Sequence, residues 1–210
     1  MITAKSTAEK SFELIPPGTY IARCYSMVDL GTHDDEFQGR KKKTHKVRIT
    51  WELPTETRVF KPENGEQPFV ISKEFTLSMA EKANLRAFLT SWRGKPFTAD
   101  EAMAFDVTKL LGVPCQLSII HEQGRKDPTR SYERISAITM LMKGVVCPPQ
   151  LNPTFVFSLE EFSTDAFNAL PDWLKEIVRE SDEYKELSAP VEVVHSTPVS
   201  IDDDGDDLPF

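Results

Sequence analysis

The chain has 210 residues, of which 40% are hydrophobic, and its formal net charge is −8. This length and apolar content suit one ordinary domain with appendages and a sizeable buried core. No apolar run reaches the roughly eighteen residues of a membrane span, and residues 1–6 lack the apolar stretch of a secretory signal. We therefore expect a cytoplasmic protein without a membrane partner, located in the bacterial host cell if a phage encodes it.

The charge is distributed unevenly along the chain. Residues 1–150 hold 22 Lys/Arg and 18 Asp/Glu, whereas residues 151–210 hold 3 and 15. A body of net charge +4 thus precedes an end of net charge −12. This asymmetry is typical of a nucleic-acid binder with an acidic interaction tail. Cys24, Cys115 and Cys147 are odd in number and widely spaced, which favours a reducing compartment over a disulfide framework.

The first half of the chain predicts three strands and then a helix. A loose arm, residues 1–18, precedes strand formers at 20–28, and an alternating strand follows at 46–53. Residues 69–77 form the third predicted strand. A helix is expected over about 79–92, because four apolar residues make one stripe: Leu85, Phe88, Leu89 and Trp92.

The second half predicts two more strands and a helical end. A short helical piece at 106–111 leads to strands at 114–121 and 132–142, joined by a hairpin loop. Three strands, a helix and two strands is the element order of the OB-fold, a five-stranded Greek-key barrel. Alternation alone also suits another small barrel or an α+β sandwich. The helix after the third strand favours the OB-fold, so we expect a mainly β, five-stranded OB-fold barrel.

Beyond the barrel, a proline-rich connector precedes a helix that opens near Pro171. This helix is expected to pack across the barrel or against a second subunit, which leaves homo-oligomerisation open. From Ser188 no periodicity survives, which predicts a disordered acidic tail. The predicted divisions are an arm (1–18), an OB-fold DNA-binding domain (19–144), a connector with a helical extension (145–187) and the tail (188–210).

Two clusters of basic residues fall in the two connections with which OB-folds hold oligonucleotides. The first precedes the second strand, and the second lies between the fourth and fifth strands. Because these residues played no part in assigning the fold, their positions favour nucleic-acid contact over a merely solvated loop. The clusters are Arg40, Lys41, Lys42, Lys43 and Lys46, and Arg125, Lys126, Arg130 and Arg134.

Aromatic and strand-borne residues complete the predicted DNA interface. Tyr25, Tyr132 and Phe37 are candidates for base stacking, with core packing as the alternative for each tyrosine. Alternation puts Arg23 on the face of Tyr25, where Arg48 also helps to line the groove. Trp51, Trp92 and Trp173 lie on apolar stripes, so we expect them in the core. No base-edge reader is identifiable, which predicts sequence-independent binding.

The last nine residues contain five aspartates and end in a short apolar segment, Leu-Pro-Phe. Another protein could hold the phenylalanine in an apolar pocket and steer the aspartates to a basic surface. A solubilising tail would not need Leu-Pro-Phe at its exposed end. The predicted partner-binding residues are Asp202, Asp203, Asp204, Asp206, Asp207, Leu208, Pro209 and Phe210.

This ending resembles the acidic tip of bacterial single-stranded-DNA-binding proteins, which finish in Asp-Asp-Asp-Ile-Pro-Phe. Here Leu208 replaces the isoleucine and Gly205 interrupts the acidic run. The resemblance implies a bacteriophage-type protein that protects single-stranded DNA during replication, recombination and repair, and recruits enzymes through its tip. The tetramer of that family is not carried over, because no Gly/Gln-rich linker precedes the tip.

Two other classes of function stay open. An adaptor or mimic would use the tip to bind host replication proteins without binding DNA itself. A nuclease or other DNA-modifying enzyme would need a metal or catalytic site. His33, His45, His121 and His195 are scattered, and no zinc-ligand pair, P-loop or nucleophile elbow occurs, so we predict no catalytic residue, metal or cofactor.

Overall fold

Two long strands form one antiparallel hairpin at the centre of the fold. The computed structural model describes residues 14–37, 39–124 and 127–188. Strand β1 spans Gly18–Phe37 and β2 spans Arg40–Val59, so each extends far beyond the strands expected at 20–28 and 46–53. The other strands are β3 (Glu66–Thr76), β4 (Pro114–Gln123), β5 (Ser131–Thr139) and β6 (Phe155–Phe157).

The strands form one six-stranded sheet with the order β3-β2-β1-β4-β5. All these pairs are antiparallel, and the short β6 adds a parallel pairing to β1. A mainly β fold is therefore confirmed. Among the described residues no strand pairing joins β3 to β5, so the sheet is not closed into the barrel expected from the sequence. Helix α1 (Asn84–Arg93) packs against both of these strands at the gap.

Short helices follow β3 and β6. Helix α1 begins five residues later than expected and ends at Gly94, whose φ of 67° is left-handed. Thr98 and Glu101 form a capping box that starts α2 (Ala99–Met103), which the sequence did not predict. The piece expected at 106–111 is a 3₁₀ turn, Val107–Leu110. The helical extension contains α3 (Thr164–Ala169), α4 (Asp172–Arg179) and α5 (Asp182–Ser188).

The two faces of β1 pack into two separate hydrophobic cores. Ala22 and Cys24 belong to the main core between the sheet and α1, together with Trp51 and Trp92. A bulge at Tyr25 shifts the alternation by one residue, so that Met27 continues the same core. The second core lies between the other face of β1 and the extension: Val28, Leu30, Phe157, Leu159, Phe167, Leu170, Leu174 and Val178.

Buried polar groups attach the connector to the sheet. The fully buried Glu52 carboxylate accepts hydrogen bonds from the backbone N of Leu151 at 2.8 Å and of Asn152 at 2.7 Å. Arg23 donates from its guanidinium to the carbonyls of Gly112 at 2.6 Å and Pro148 at 2.8 Å. Because a buried carboxylate without donors is costly, this connector segment is part of the folded unit.

The end of the extension is held to the hairpin by a charged cluster. Glu183 accepts hydrogen bonds from the Thr32 backbone N at 2.7 Å and from its hydroxyl at 2.6 Å. His45 lies between two carboxylates, with Nε2 2.7 Å from Asp29 Oδ1 and Nδ1 3.2 Å from Glu183 Oε1. The hydrogen bond to Asp29, with the charges of both carboxylates, raises the pKa of His45 above its ordinary 6.5 despite partial burial.

Gly31 permits this close approach. Its φ is +76°, and a Cβ there would lie 2.5 Å from the Cβ of Ser181 and 2.7 Å from a methyl carbon of Leu159. Glycine alone combines that dihedral with the absence of a side chain. None of the helices in the described ranges is long and apolar enough to cross a membrane. The predicted domain boundaries stay predictions, although Ile15, near the end of the expected loose arm, is buried.

Candidate nucleic-acid interface

A cleft of about 1150 Å³ occupies the gap between β3, α1 and β5. Its position follows from the open sheet, because two unpaired strand edges face each other there. Residues 73–76 of β3, residues 136–138 of β5 and Asn84, Ala87, Phe88 and Ser91 of α1 line it.

The cleft is strongly basic. Five of its lining residues are cationic and one, Glu74, is acidic; the cations are Lys42, Lys46, Lys73, Lys82 and Arg134. Lys42 and Lys46 come from the first predicted basic cluster and Arg134 from the second, so the fold brings members of both clusters to one cavity. In the described ranges no carboxylate forms an ion pair with Lys42, Lys73 or Lys82.

Lys73, like Lys82, is a cation of this cleft that was not predicted from the sequence. Its ammonium donates to the Ile135 carbonyl at 3.2 Å and lies 5.2 Å from the ring centre of Phe88 and 5.6 Å from that of Phe75. Burial first, and then the neighbouring charge of Arg134, lower its pKa from the ordinary 10.5. Strand alternation contained the signal, because Lys73 falls on the face of the buried Ile71 and Phe75.

The first basic cluster lies in a strand and not in a loop. Residues 40–43 open β2, and the acidic residues 34–36 of β1 face them across the hairpin. Glu36 is opposite Lys41, Asp35 is opposite Lys42, and Asp34 is opposite Lys43. The sequence interpretation of a free basic loop was therefore wrong, because β1 continues to Phe37 and places its carboxylates in register with the lysines.

Two lysines of this hairpin already have carboxylate partners. Lys43 lies 2.8 Å from Asp182 of α5 and 3.1 Å from Asp34, and these two contacts raise its pKa. Lys46 lies 2.7 Å from Asp35. Exposed ion pairs of this kind are worth little individually. They nevertheless lower the positive potential that the hairpin presents to an anion.

The predicted groove on the Tyr25 face is largely occupied. Arg23 does not line a groove, because its guanidinium is bound to backbone carbonyls of the connector. Tyr25 is half-buried, and burial, followed by the charge of Glu52, raises its pKa. Arg48 donates to Glu74 at 2.8 Å and lies 4.7 Å from the ring centre of Trp173.

Trp173 also corrects the sequence interpretation of the tryptophans. Trp51 and Trp92 are buried, as expected, but 47% of Trp173 is exposed. Leu174 and Val178 fill the second core from α4, and Trp173, next to Leu174, points away from it. An apolar stripe predicts which residues lie on the same side of a helix. It does not predict how much of that side the rest of the protein covers.

The second basic cluster is only partly described. Arg125 and Lys126 lie outside the described residues. Arg130 is 3.5 Å from Asp127, and Arg134 pairs with Glu122 while also lining the cleft. Tyr132 is 52% exposed near the start of β5, so that its side chain is accessible from solvent.

Other predicted positions are beyond what the structure describes. The side chain of Phe37 and the partner-binding residues 202–210 lie outside the described residues. Within the described ranges, no three His, Cys, Asp or Glu side chains are grouped to hold a metal ion. Burial raises the pKa of the Cys24 thiol to about 12 and that of Cys115 well above 9.0. Those two thiols are therefore protonated at neutral pH.

No protein-family model, curated protein or solved structure matches this chain.

Proposed function

We propose that this chain binds single-stranded DNA without sequence preference, in the basic cleft between β3, α1 and β5. The observation that carries the proposal is the convergence of five cations and one carboxylate on that cavity. Phosphate contacts by lysine provide sequence-independent affinity, and aromatic faces next to the path stack the bases. Lys42, Lys73 and Lys82 supply the charges, and the exposed ring of Tyr132 supplies one stacking face.

The strand order supports an OB-type architecture for this site. The order β3-β2-β1-β4-β5, with α1 between β3 and β4, is that of an OB-fold barrel left open between β3 and β5. OB-folds are partly open barrels that bind oligonucleotides. In this proposal the Lys73 ammonium, bound to the Ile135 carbonyl, bridges the open side.

The acidic tip, residues 202–210, completes the proposal through its resemblance to bacterial single-stranded-DNA-binding proteins. In this proposal it recruits replication and recombination proteins while the cleft holds the DNA. The chain would then protect exposed strands and deliver them to enzymes.

Fluorescence anisotropy with a labelled oligo-dT tests the cleft. The variant combines Lys42→Gln, Lys73→Gln and Lys82→Gln, and its matched control combines Lys61→Gln, Lys109→Gln and Lys143→Gln, three exposed lysines outside the cleft. We expect tight, salt-sensitive binding of the unmodified protein that duplex DNA does not compete. In the cleft variant the slope of log K against log salt should become shallower by about 2, because each phosphate contact to a single strand contributes about 0.7 and three contacts are removed. The control should keep the slope.

A specific observation also favours the adaptor as a second candidate. Residues 34–36 face residues 40–43, so the hairpin is less basic than its sequence indicates. An adaptor predicts no oligo-dT binding at low salt for any of these proteins, and capture of tip-binding replication proteins that requires residues 202–210. If the cleft variant and its control bound oligo-dT with equal affinity and equal salt dependence, the DNA site would have to lie outside the cleft.

A further inference from the structure

Trp173 is a large aromatic side chain that belongs to neither hydrophobic core. Trp173, near the start of α4, is 47% exposed, whereas Trp51 and Trp92 are 0% and 3% exposed. An exposed tryptophan loses hydrophobic stabilisation that burial would give it, about 25 cal/mol per Å² of apolar surface. It is also the amphipathic ring best suited to stack on a flat ligand.

The structure holds this indole in a defined orientation. The Arg48 guanidinium lies 4.7 Å from the ring centre, within the range of a cation–π contact. Glu74 accepts a hydrogen bond from Arg48 at 2.8 Å, and only 23% of the Arg48 side chain is exposed. Carboxylate, guanidinium and indole therefore form a short stack, which reduces the freedom that a ligand would otherwise have to remove.

This stack meets the basic cleft at the β3 edge through Glu74, on the sheet face opposite to Lys73 and Phe75. Glu74 belongs both to the stack and to the cleft lining, and Lys46, two residues before Arg48 on β2, also lines the cleft. A strand whose phosphates follow the lysines of the cleft thus has an aromatic face at its border. The extension reaches this border because Leu174 and Val178 fix α4 on the sheet.

We infer that Trp173 and Arg48 form a nucleobase-stacking site, so that the helical extension is part of the DNA interface. The inference rests on the proposed function of the cleft. A base stacks on the exposed part of the indole, while Arg48 supports the ring and adds positive charge next to the passing backbone. Stacking accepts every base, which agrees with binding that does not depend on sequence.

Intrinsic tryptophan fluorescence tests this. The two buried tryptophans lie in the main core, so a base can stack directly only on Trp173, and the part of the change that disappears in the Trp173→Phe variant reports that residue. We expect oligo-dT to quench the fluorescence at the concentrations at which anisotropy shows binding. An oligomer of abasic sites should bind through its phosphates and leave the fluorescence unchanged. If anisotropy showed that oligo-dT binds while the tryptophan fluorescence stayed constant, the inference would be overturned and the cleft proposal would remain intact.

Two substitutions separate stacking from structure. Trp173→Phe keeps an aromatic face, so affinity for oligo-dT should change by no more than about twofold, while the quenching disappears. Trp173→Ala should weaken binding by about 5- to 150-fold, the range for removal of one base–aromatic stack. Thermal unfolding verifies that both variants fold. Unchanged affinity of a folded Trp173→Ala protein would also overturn the inference, whereas absence of oligo-dT binding by the unmodified protein would overturn the cleft proposal itself.

Discussion

The cleft and the tip of the β1–β2 hairpin both contain a high density of lysines, yet their electrostatics differ. In the hairpin, residues 40–43 face residues 34–36, and the two sets together carry a net charge of only +1. In the cleft, five cations accompany one lining carboxylate, and three of them, Lys42, Lys73 and Lys82, form no ion pair with a described carboxylate. A run of basic residues is therefore not a measure of free charge. Pairing across the strands determines how much of it a ligand can use.

The hairpin cations serve the fold itself. Lys43 pairs with Asp182, and His45 lies between Asp29 and Glu183, so both bind α5 to the sheet. Among the cleft lysines, Lys46 pairs with Asp35 of β1 and Lys73 donates to a carbonyl, whereas Lys42 and Lys82 form no ion pair in the described part of the chain. We therefore expect substitutions in the cleft to alter binding and substitutions in the hairpin to alter stability.

The largest expected difference comes from neutralising three charges in each region. The cleft variant, Lys42→Gln with Lys73→Gln and Lys82→Gln, should weaken oligo-dT binding at least about tenfold at low salt. A hairpin variant with the same change of charge, Arg40→Gln with Lys41→Gln and Lys43→Gln, should weaken it by no more than about threefold. Anisotropy at matched salt measures both. Equal losses would refute the distinction between the two regions.

The hairpin contribution to stability should depend on pH through His45. Because its pKa is raised in the folded protein, protonated His45 contributes stability that is fully present below pH 6.5 and is lost as pH rises through the raised pKa. Partial exposure limits this to about 1 kcal/mol or less. Urea unfolding across pH 6 to 9 measures the free energy of unfolding.

A His45→Gln variant is the control for that experiment. It should be less stable than the unmodified protein at pH 6 and should lack this part of the pH dependence. If the stability of both proteins depended equally on pH, the effect would belong to groups other than His45. Asp29 and Glu183 are not expected to cause a loss at alkaline pH, because their pKa values are lowered and their contributions are lost only as pH falls.

Deprotonation of Lys73 should cause a smaller decrease in oligo-dT affinity at alkaline pH. Burial lowers its pKa, so it loses its charge at a lower pH than an ordinary lysine. A bound phosphate favours the protonated form, and affinity should therefore fall as pH rises toward that pKa. We expect the oligo-dT affinity to decrease at alkaline pH, and to begin to do so at a lower pH than the loss of charge of ordinary lysines would cause. Lys73→Arg should remove the decrease, because arginine stays charged throughout.

The smallest expected effect concerns the acidic tip. If residues 202–210 compete with DNA for the basic surface, their removal should tighten oligo-dT binding by about twofold at low salt and not at moderate salt. Anisotropy of the truncated and full-length chains measures the difference. Unchanged affinity at low salt would show that the tip and the DNA do not compete.

Much of the secondary structure was predictable from local pattern. The strands at 46–53, 69–77, 114–121 and 132–142 lie within or overlap β2 to β5, and the helix after Pro171 is α4. Alternation and helical stripes are properties of the chain that any packing must respect. The continuation of β1 through residues 29–37 was missed, because those polar residues become a strand only through pairing with β2.

The candidate site was less predictable than the strands. Both basic clusters were visible in the sequence, but Lys73 and Lys82 were overlooked. Arg23 was expected to line a groove and instead binds carbonyls, and Trp173 was expected in the core and is half exposed. These positions depend on contacts between residues far apart in sequence, such as Arg23 with Pro148 and Arg48 with Trp173. No local period encodes such contacts.

Composition and local pattern were enough to predict the mainly β class, the order of β1 to β5 with α1 after β3, the uneven charge and the acidic tip that resembles that of a known family. Long-range packing leaves the sheet open between β3 and β5, with Lys73 in the gap. It also decided which cations are neutralised and which line the cleft. The physical reason is that composition fixes how many charges exist, whereas strand register and packing fix which opposite charges they meet.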